Sequence, residues 1–256
     1  MKLNVTKSIG AWILAVSIAT AVNRADAALV VGDIGVVGFN VDGLDDFALV
    51  ALTDITNEIV FITDSAPGTS TEGVLQWDTG LATIPAGTVI VFNDASDGGT
   101  SSIGTLFEID NGFNLAQGGD AFYVYSASDF TMPDTYLTAA SSDDFGQTST
   151  GDLAATGLVK GVSAIEFGTA SEDGGIYIGP RSGLTSFSEY FPLINDPMNW
   201  DTTTATGDGE VFFDANIATI TTSFTVAAVP EPGSFAVLGF AGCCMLTRRK
   251  KRRVFA

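Results

Sequence analysis

Short apolar runs broken by Gly, Asp, Asn and Pro recur from residue 28 to residue 228, and each is of strand rather than helix length. The pattern predicts strands at 33–39, 47–53, 58–63, 73–77, 88–92, 121–125, 162–167 and 175–178, with later candidates at 210–213 and 217–226. Phe47-Ala48-Leu49-Val50-Ala51-Leu52 and Ile59-Val60-Phe61-Ile62 are nearly continuous apolar stretches rich in β-branched residues. Such runs predict strands covered on both faces, at the centre of a sandwich. Ile84-Pro85-Ala86-Gly87-Thr88 predicts a turn, with Pro setting φ and Gly permitting the bend. Residues 129–160 are polar and weakly patterned, which predicts long loops, an edge strand or one short helix. Ala95-Ser96-Asp97-Gly98-Gly99 and Ala170-Ser171-Glu172-Asp173-Gly174-Gly175 echo one another, and shared turn chemistry accounts for the echo without a duplication. The expected fold is all-β, an antiparallel β-sandwich.

The two ends follow other rules. Lys2 and Lys7, the apolar stretch 9–22 and the small residues of Ala25-Asp26-Ala27 make a signal peptide over 1–27, with cleavage after Ala27. An uncleaved anchor is the weaker alternative, because the apolar run falls short of the roughly 20 residues of a spanning helix. The segment 229–256 holds Pro230-Glu231-Pro232, an uncharged run over 234–247 and then Arg248-Arg249-Lys250-Lys251-Arg252-Arg253. A basic stop after a short apolar helix retains the C-terminus in the cytoplasm and leaves residues 28–228 outside. The predicted sandwich is therefore flanked by an N-terminal signal helix and a short C-terminal transmembrane helix. A plain single-pass anchor and a lipidated Cys243 or Cys244 are the competing readings of the tail.

This order of signals resembles the PEP-CTERM sorting tail of Gram-negative and related bacteria, whose Pro-Glu-Pro motif corresponds to Pro230, Glu231 and Pro232. The resemblance implies transient retention in the inner membrane and removal of the tail by an exosortase-type enzyme. It further implies association with exopolysaccharide, biofilm matrix or the cell surface. Signal peptidase and an exosortase are then the expected processing partners.

Charge narrows the field further. Of 11 basic residues, Lys2, Lys7 and Arg24 lie in the leader and six in the basic stop, leaving Lys160 and Arg181. Of 30 acidic residues only Asp26 and Glu231 lie outside 28–230, so that segment carries 28 acids. A nucleic-acid partner is excluded, since phosphate binding needs Lys and Arg. Cations are the expected charged partners, and solubility alone is the simpler role for the charge. The chain has no His, and both cysteines, Cys243 and Cys244, lie in the tail. Residues 28–228 therefore cannot build a Ser-His-Asp triad, a Cys-His pair, a disulfide or a zinc site of His and Cys.

Candidate chemistry is sparse, and no catalytic residue is assigned. Asp78-Thr79-Gly80 matches the tripeptide that presents an aspartic protease carboxylate, but no second copy supplies the partner such enzymes need. A glycosidase needs two carboxylates across a cleft, and Trp77 or Trp200 would be its sugar platforms. Asn40, Asp42, Asp45 and Asp46 cluster hard oxygen ligands around Gly43, which makes them the candidate calcium site, with a polar hairpin turn as the simpler reading. Asp97, Asp143, Asp144 and Asp173 are weaker candidates. The segment from Gly38 to Ala48, the turn at 84–88 and Asn195-Asp196-Pro197-Met198-Asn199-Trp200 resemble secreted bacterial β-domains related to lamin-tail-like sandwiches. The expectation is a non-enzymatic surface or matrix protein. The alternatives are a secreted carbohydrate-active hydrolase and, last, an ice- or surface-binding protein using threonines at 202–204, 221 and 222.

Overall fold

The computed structural model describes residues 28–67, 72–110, 112–146, 151–168, 172–204 and 208–228. The signal-peptide residues Ala25 and Ala27, the Pro230-Glu231-Pro232 motif and the basic stop at 248–253 lie outside them. Among the described residues no helix is long and apolar enough to cross a membrane.

The strands are β1 (Ile34–Asn40), β2 (Asp46–Ala51), β3 (Ile59–Thr63), β4 (Val74–Asp78), β5 (Val89–Asn93), β6 (Thr100–Ser101), β7 (Thr105–Asp110), β8 (Ala121–Ser126), β9 (Thr135–Ser141), β10 (Ala164–Glu166), β11 (Glu172–Tyr177) and β12 (Trp200–Thr204). They form two six-stranded sheets, ordered β12-β11-β1-β2-β5-β6 and β10-β9-β8-β3-β4-β7. The apolar runs occupy interior positions as their pattern predicts. All six residues of β2 are buried between β1 and β5, and β3 lies between β8 and β4.

One hydrophobic core joins the sheets. Phe47 of β2 meets Phe122 of β8 at 5.2 Å between ring centroids, and Trp77 of β4 meets Phe92 of β5 edge-on at 5.4 Å. Aromatic pairs of this kind contribute about 0.5–1.5 kcal/mol each beyond the area they bury.

The pairing is not wholly antiparallel, since β10 runs parallel to β9, with Ala164 opposite Ala139. Residues 142–163 make that crossover possible, because parallel neighbours need a long connection. β9 itself falls in the stretch that reads as polar. Its Thr138, Ala139, Ala140 and Ser141 are buried, yet such small residues give no apolar signal.

The candidate strand at 210–213 is instead a helix, α1 (Gly209–Ala215), and the candidate at 217–226 opens with a second one, α2 (Ile217–Ile220). Asp208 caps α1 by accepting the Val211 amide at 2.9 Å, and Phe213 and Ile220, seven positions apart, are both fully buried beside Gly38. A helical period, not alternation, selects the buried residues.

The 84–88 turn forms as expected: the Thr88 amide donates to the Pro85 carbonyl at 3.1 Å, and Gly87 has φ +89°. The sequence echo has no structural counterpart. Ala95–Asp97 is a 3-10 turn, whereas Glu172 to Gly175 lie within β11, where pairing with β1 and β12 overrides local turn chemistry.

Candidate functional site

The predicted calcium set lies on the β1–β2 hairpin, and the structure divides it. Asn40 and Asp46 face one another across the two strands. The Asn40 side-chain amide donates to the Asp42 carbonyl at 2.8 Å and to Asp46 Oδ2 at 3.1 Å, while Asn40 Oδ1 accepts the Asp42 amide at 2.9 Å. The Asp46 Oδ1 atom accepts the Asp94 amide at 3.0 Å. The side chains of Asn40 and Asp46 and the backbone of Asp42 therefore tie the turn.

Asp45 is turned elsewhere. Its backbone adopts the left-handed conformation, φ 56°, and its Oδ2 accepts the Leu115 amide at 2.8 Å from the loop between β7 and β8 in the other sheet. Two further acids reach the same loop. The Asn114 amide donates to Asp64 Oδ2 at 2.7 Å, and the Ala116 amide donates to Asp120 Oδ2 at 2.9 Å. Three consecutive backbone amides thus each hold a different carboxylate. Phe113 and Leu115, buried at 1% and 3% exposure, anchor this segment in the core and so position the amides.

Burial dominates the electrostatics. It pushes the Asp45 and Asp64 carboxyls up to about 7 and Asp120 up to about 6, against the opposing pull of the amide bonds. Mutual repulsion adds to this: Asp46, Asp120 and Asp64 act on Asp45, while Asp120 and Glu72 act on Asp64.

More acids adjoin. The Ser142 hydroxyl accepts the Asp120 amide at 2.9 Å, and the Ser142 carbonyl accepts the Glu172 amide at 2.8 Å, which brings β11 alongside. Asp173, fully buried, is raised by burial and by nearby Asp42. Gln117 lies close enough to favour its ionised form, but neither Asp173 oxygen attains hydrogen-bond geometry with a described residue. Asp64 Oδ1, Asp143 Oδ1 and Glu172 Oε2 are likewise buried without a partner among the described residues.

Neither basic side chain of this segment offsets them. Lys160 pairs with Glu166. Arg181 donates to the Tyr177, Ile220 and Thr222 carbonyls and lies 4.7 Å from the Phe224 ring centroid.

Asp64 and Asp120 were not legible as site residues. Each is a lone acid at a strand end, a commonplace of β-proteins. Among the described residues no three His, Cys, Asp or Glu side chains stand together closely enough to cage a metal ion directly.

The remaining candidates resolve into structural roles. Asp78 Oδ1 accepts the Gly80 amide at 2.9 Å and the buried Thr79 hydroxyl accepts the Glu58 amide at 2.9 Å, so the protease-like tripeptide is a strand-end turn. Trp77 and Trp200 are core residues whose indole N–H groups donate to Ile103 and Ile194 carbonyls at 2.8 and 2.7 Å. The Thr221 and Thr222 hydroxyls bond back to the Ile217 and Ala218 carbonyls, while the threonines at 202–204 lie in β12. A hollow of about 300 Å³ beside Phe167 and Asn195 holds a single carboxylate, Glu166, already engaged by Lys160.

The fold and this loop end define a two-sheet β-protein with a core free of cysteine and a convergent set of buried carboxylates. Comparison with protein families, with curated proteins and with solved structures finds no match to the chain.

Proposed function

We propose that the chain is the precursor of an exported bacterial cell-surface or extracellular-matrix protein, whose β-sandwich acts as a structural or binding module rather than an enzyme. The observation that carries this reading is the order of parts along the chain: a leader with a small-residue cleavage site, an acidic β-rich segment, then Pro-Glu-Pro, an apolar run and six basic residues. A net-acidic protein without His or disulfides suits an extracellular polysaccharide matrix, where divalent cations bridge like-charged partners.

The geometry favours a module over a hydrolase. Asp45 and Asp64, the carboxyls tuned nearest neutrality, are 1% and 3% exposed and bonded to backbone amides, out of reach of a polymeric substrate.

The test is to express the full chain in a bacterium that carries an exosortase and to measure the intact mass of the extracellular product. A product ending near Pro230 supports sorting and tail removal. A product that retains Cys243 overturns it.

A further inference from the structure

Lys160, Glu166 and Asn195 line one hollow of about 300 Å³, walled by Phe167 and Pro197. Lys160 is the sole lysine between the leader and the basic stop. Its Nζ meets Glu166 Oε1, while the Phe145 amide donates to Glu166 Oε2 at 3.1 Å and fixes that buried carboxylate against the amine. Asn195 is 1% exposed. Its side-chain amide donates to the Phe191 carbonyl at 2.9 Å and to the Val162 carbonyl at 3.2 Å, which holds it against the turn that carries Lys160. Asn195 Oδ1 is buried and has no partner among the described residues, a costly state for an amide oxygen. An amine, a carboxylate that can take its proton and a fixed, buried carboxamide are the groups that amide exchange requires.

We propose that Lys160 and Asn195 become joined by an intramolecular isopeptide bond, with Glu166 as the proton carrier. The Lys160 side chain is 62% exposed, so its flexible stem is free to swing from Glu166 to Asn195. Glu166 takes one proton from the Lys160 ammonium, and the Nζ lone pair attacks Asn195 Cγ, placing the carbonyl electron pair on Oδ1. As the C=O bond re-forms, the Cγ–Nδ2 bond breaks. A second Nζ proton and the one held by Glu166 pass to Nδ2, which leaves as ammonium. The step consumes no oxidant, reductant or co-reactant. The bond ties the turn before β10 to the segment before β12, a covalent staple for a domain in which residues 28–228 hold no cysteine.

The experiment purifies the full chain in mild detergent at pH 7.5 and measures its intact mass, followed by peptide mapping that is independent of how the two ends are processed. The expected product is lighter than its sequence by one ammonia, about 17 Da. Trypsin is expected to leave the bond after Lys160 uncut, and fragmentation to join the Lys160 and Asn195 peptides. Lys160→Arg and Glu166→Gln each restore the full mass, and circular dichroism verifies that both fold. A wild-type chain of full mass, cut by trypsin after Lys160, overturns the proposal. So does a deficit that survives Lys160→Arg, which would place the lost ammonia in a succinimide instead, or a loss of water that maps to Lys160 and Glu166.

Discussion

Asp45 Oδ2 and the Leu115 amide are joined by a 2.8 Å hydrogen bond that spans 70 positions in sequence and links a turn of one sheet to a loop of the other. Asp45→Ala removes the acceptor and leaves a buried N–H unpaired, which costs about 1–3 kcal/mol. Asp45→Asn keeps an acceptor, tolerates φ 56° and removes a buried charge. At pH 8 in EDTA, denaturant unfolding is therefore expected to order the proteins Asn above wild type above Ala. An Asn variant as weak as Ala would contradict this account.

The pH dependence follows from the direction of the carboxyl shifts. Asp45 and Asp64 are raised to about 7 and Asp120 to about 6, from 3.8, so the folded state binds more protons than the unfolded chain between those limits. Stability from these groups is then full at low pH and is lost as pH rises from about 4 through about 7. The facing groups are Asp46 and Glu72, both acidic, and they reinforce the trend. Metal-free Tm should fall between pH 5 and pH 8. A flat or rising profile would show that the carboxylates remain ionised and solvated.

Arg181 holds the C-terminal helical segment to β11. Burial lowers its guanidinium to about 10, and it satisfies the carbonyls of Tyr177, Ile220 and Thr222. Lysine cannot reproduce that planar fork. Arg181→Lys should speed amide hydrogen exchange over 217–228 ahead of the sheets. Uniform exchange across the protein would argue against a local clamp.

Trp77 has no exposed surface, packs edge-on against Phe92 and donates to the Ile103 carbonyl. Trp77→Ala is expected to cost about 3–5 kcal/mol in urea unfolding. Soluble glycans should leave the emission of Trp77 and Trp200 unchanged. Quenching by a sugar would instead reinstate an aromatic platform.

Legibility in the sequence tracks how far apart the deciding contacts lie. β2 and β3 announced themselves because a strand buried on both faces is apolar at every position. β9 did not, because all its buried positions but Leu137 hold small side chains, Thr138, Ala139, Ala140 and Ser141. Val211-Phe212-Phe213 read as strand, yet only Phe213 of the three is fully buried, a helical choice made visible by the Asp208 cap. The Asn40-Asp42-Asp46 cluster was legible as a turn because its bonds span a few residues.

Composition and local pattern by themselves determined that residues 28–228 would be β-rich, free of disulfides and strongly acidic, because side-chain type and period are properties of the chain alone. Only the tertiary structure decided which acids act together. Asp64 and Asp120 become neighbours of Asp45 through a loop anchored by Phe113 and Leu115, and carboxylates that look alike in sequence differ once burial removes their water.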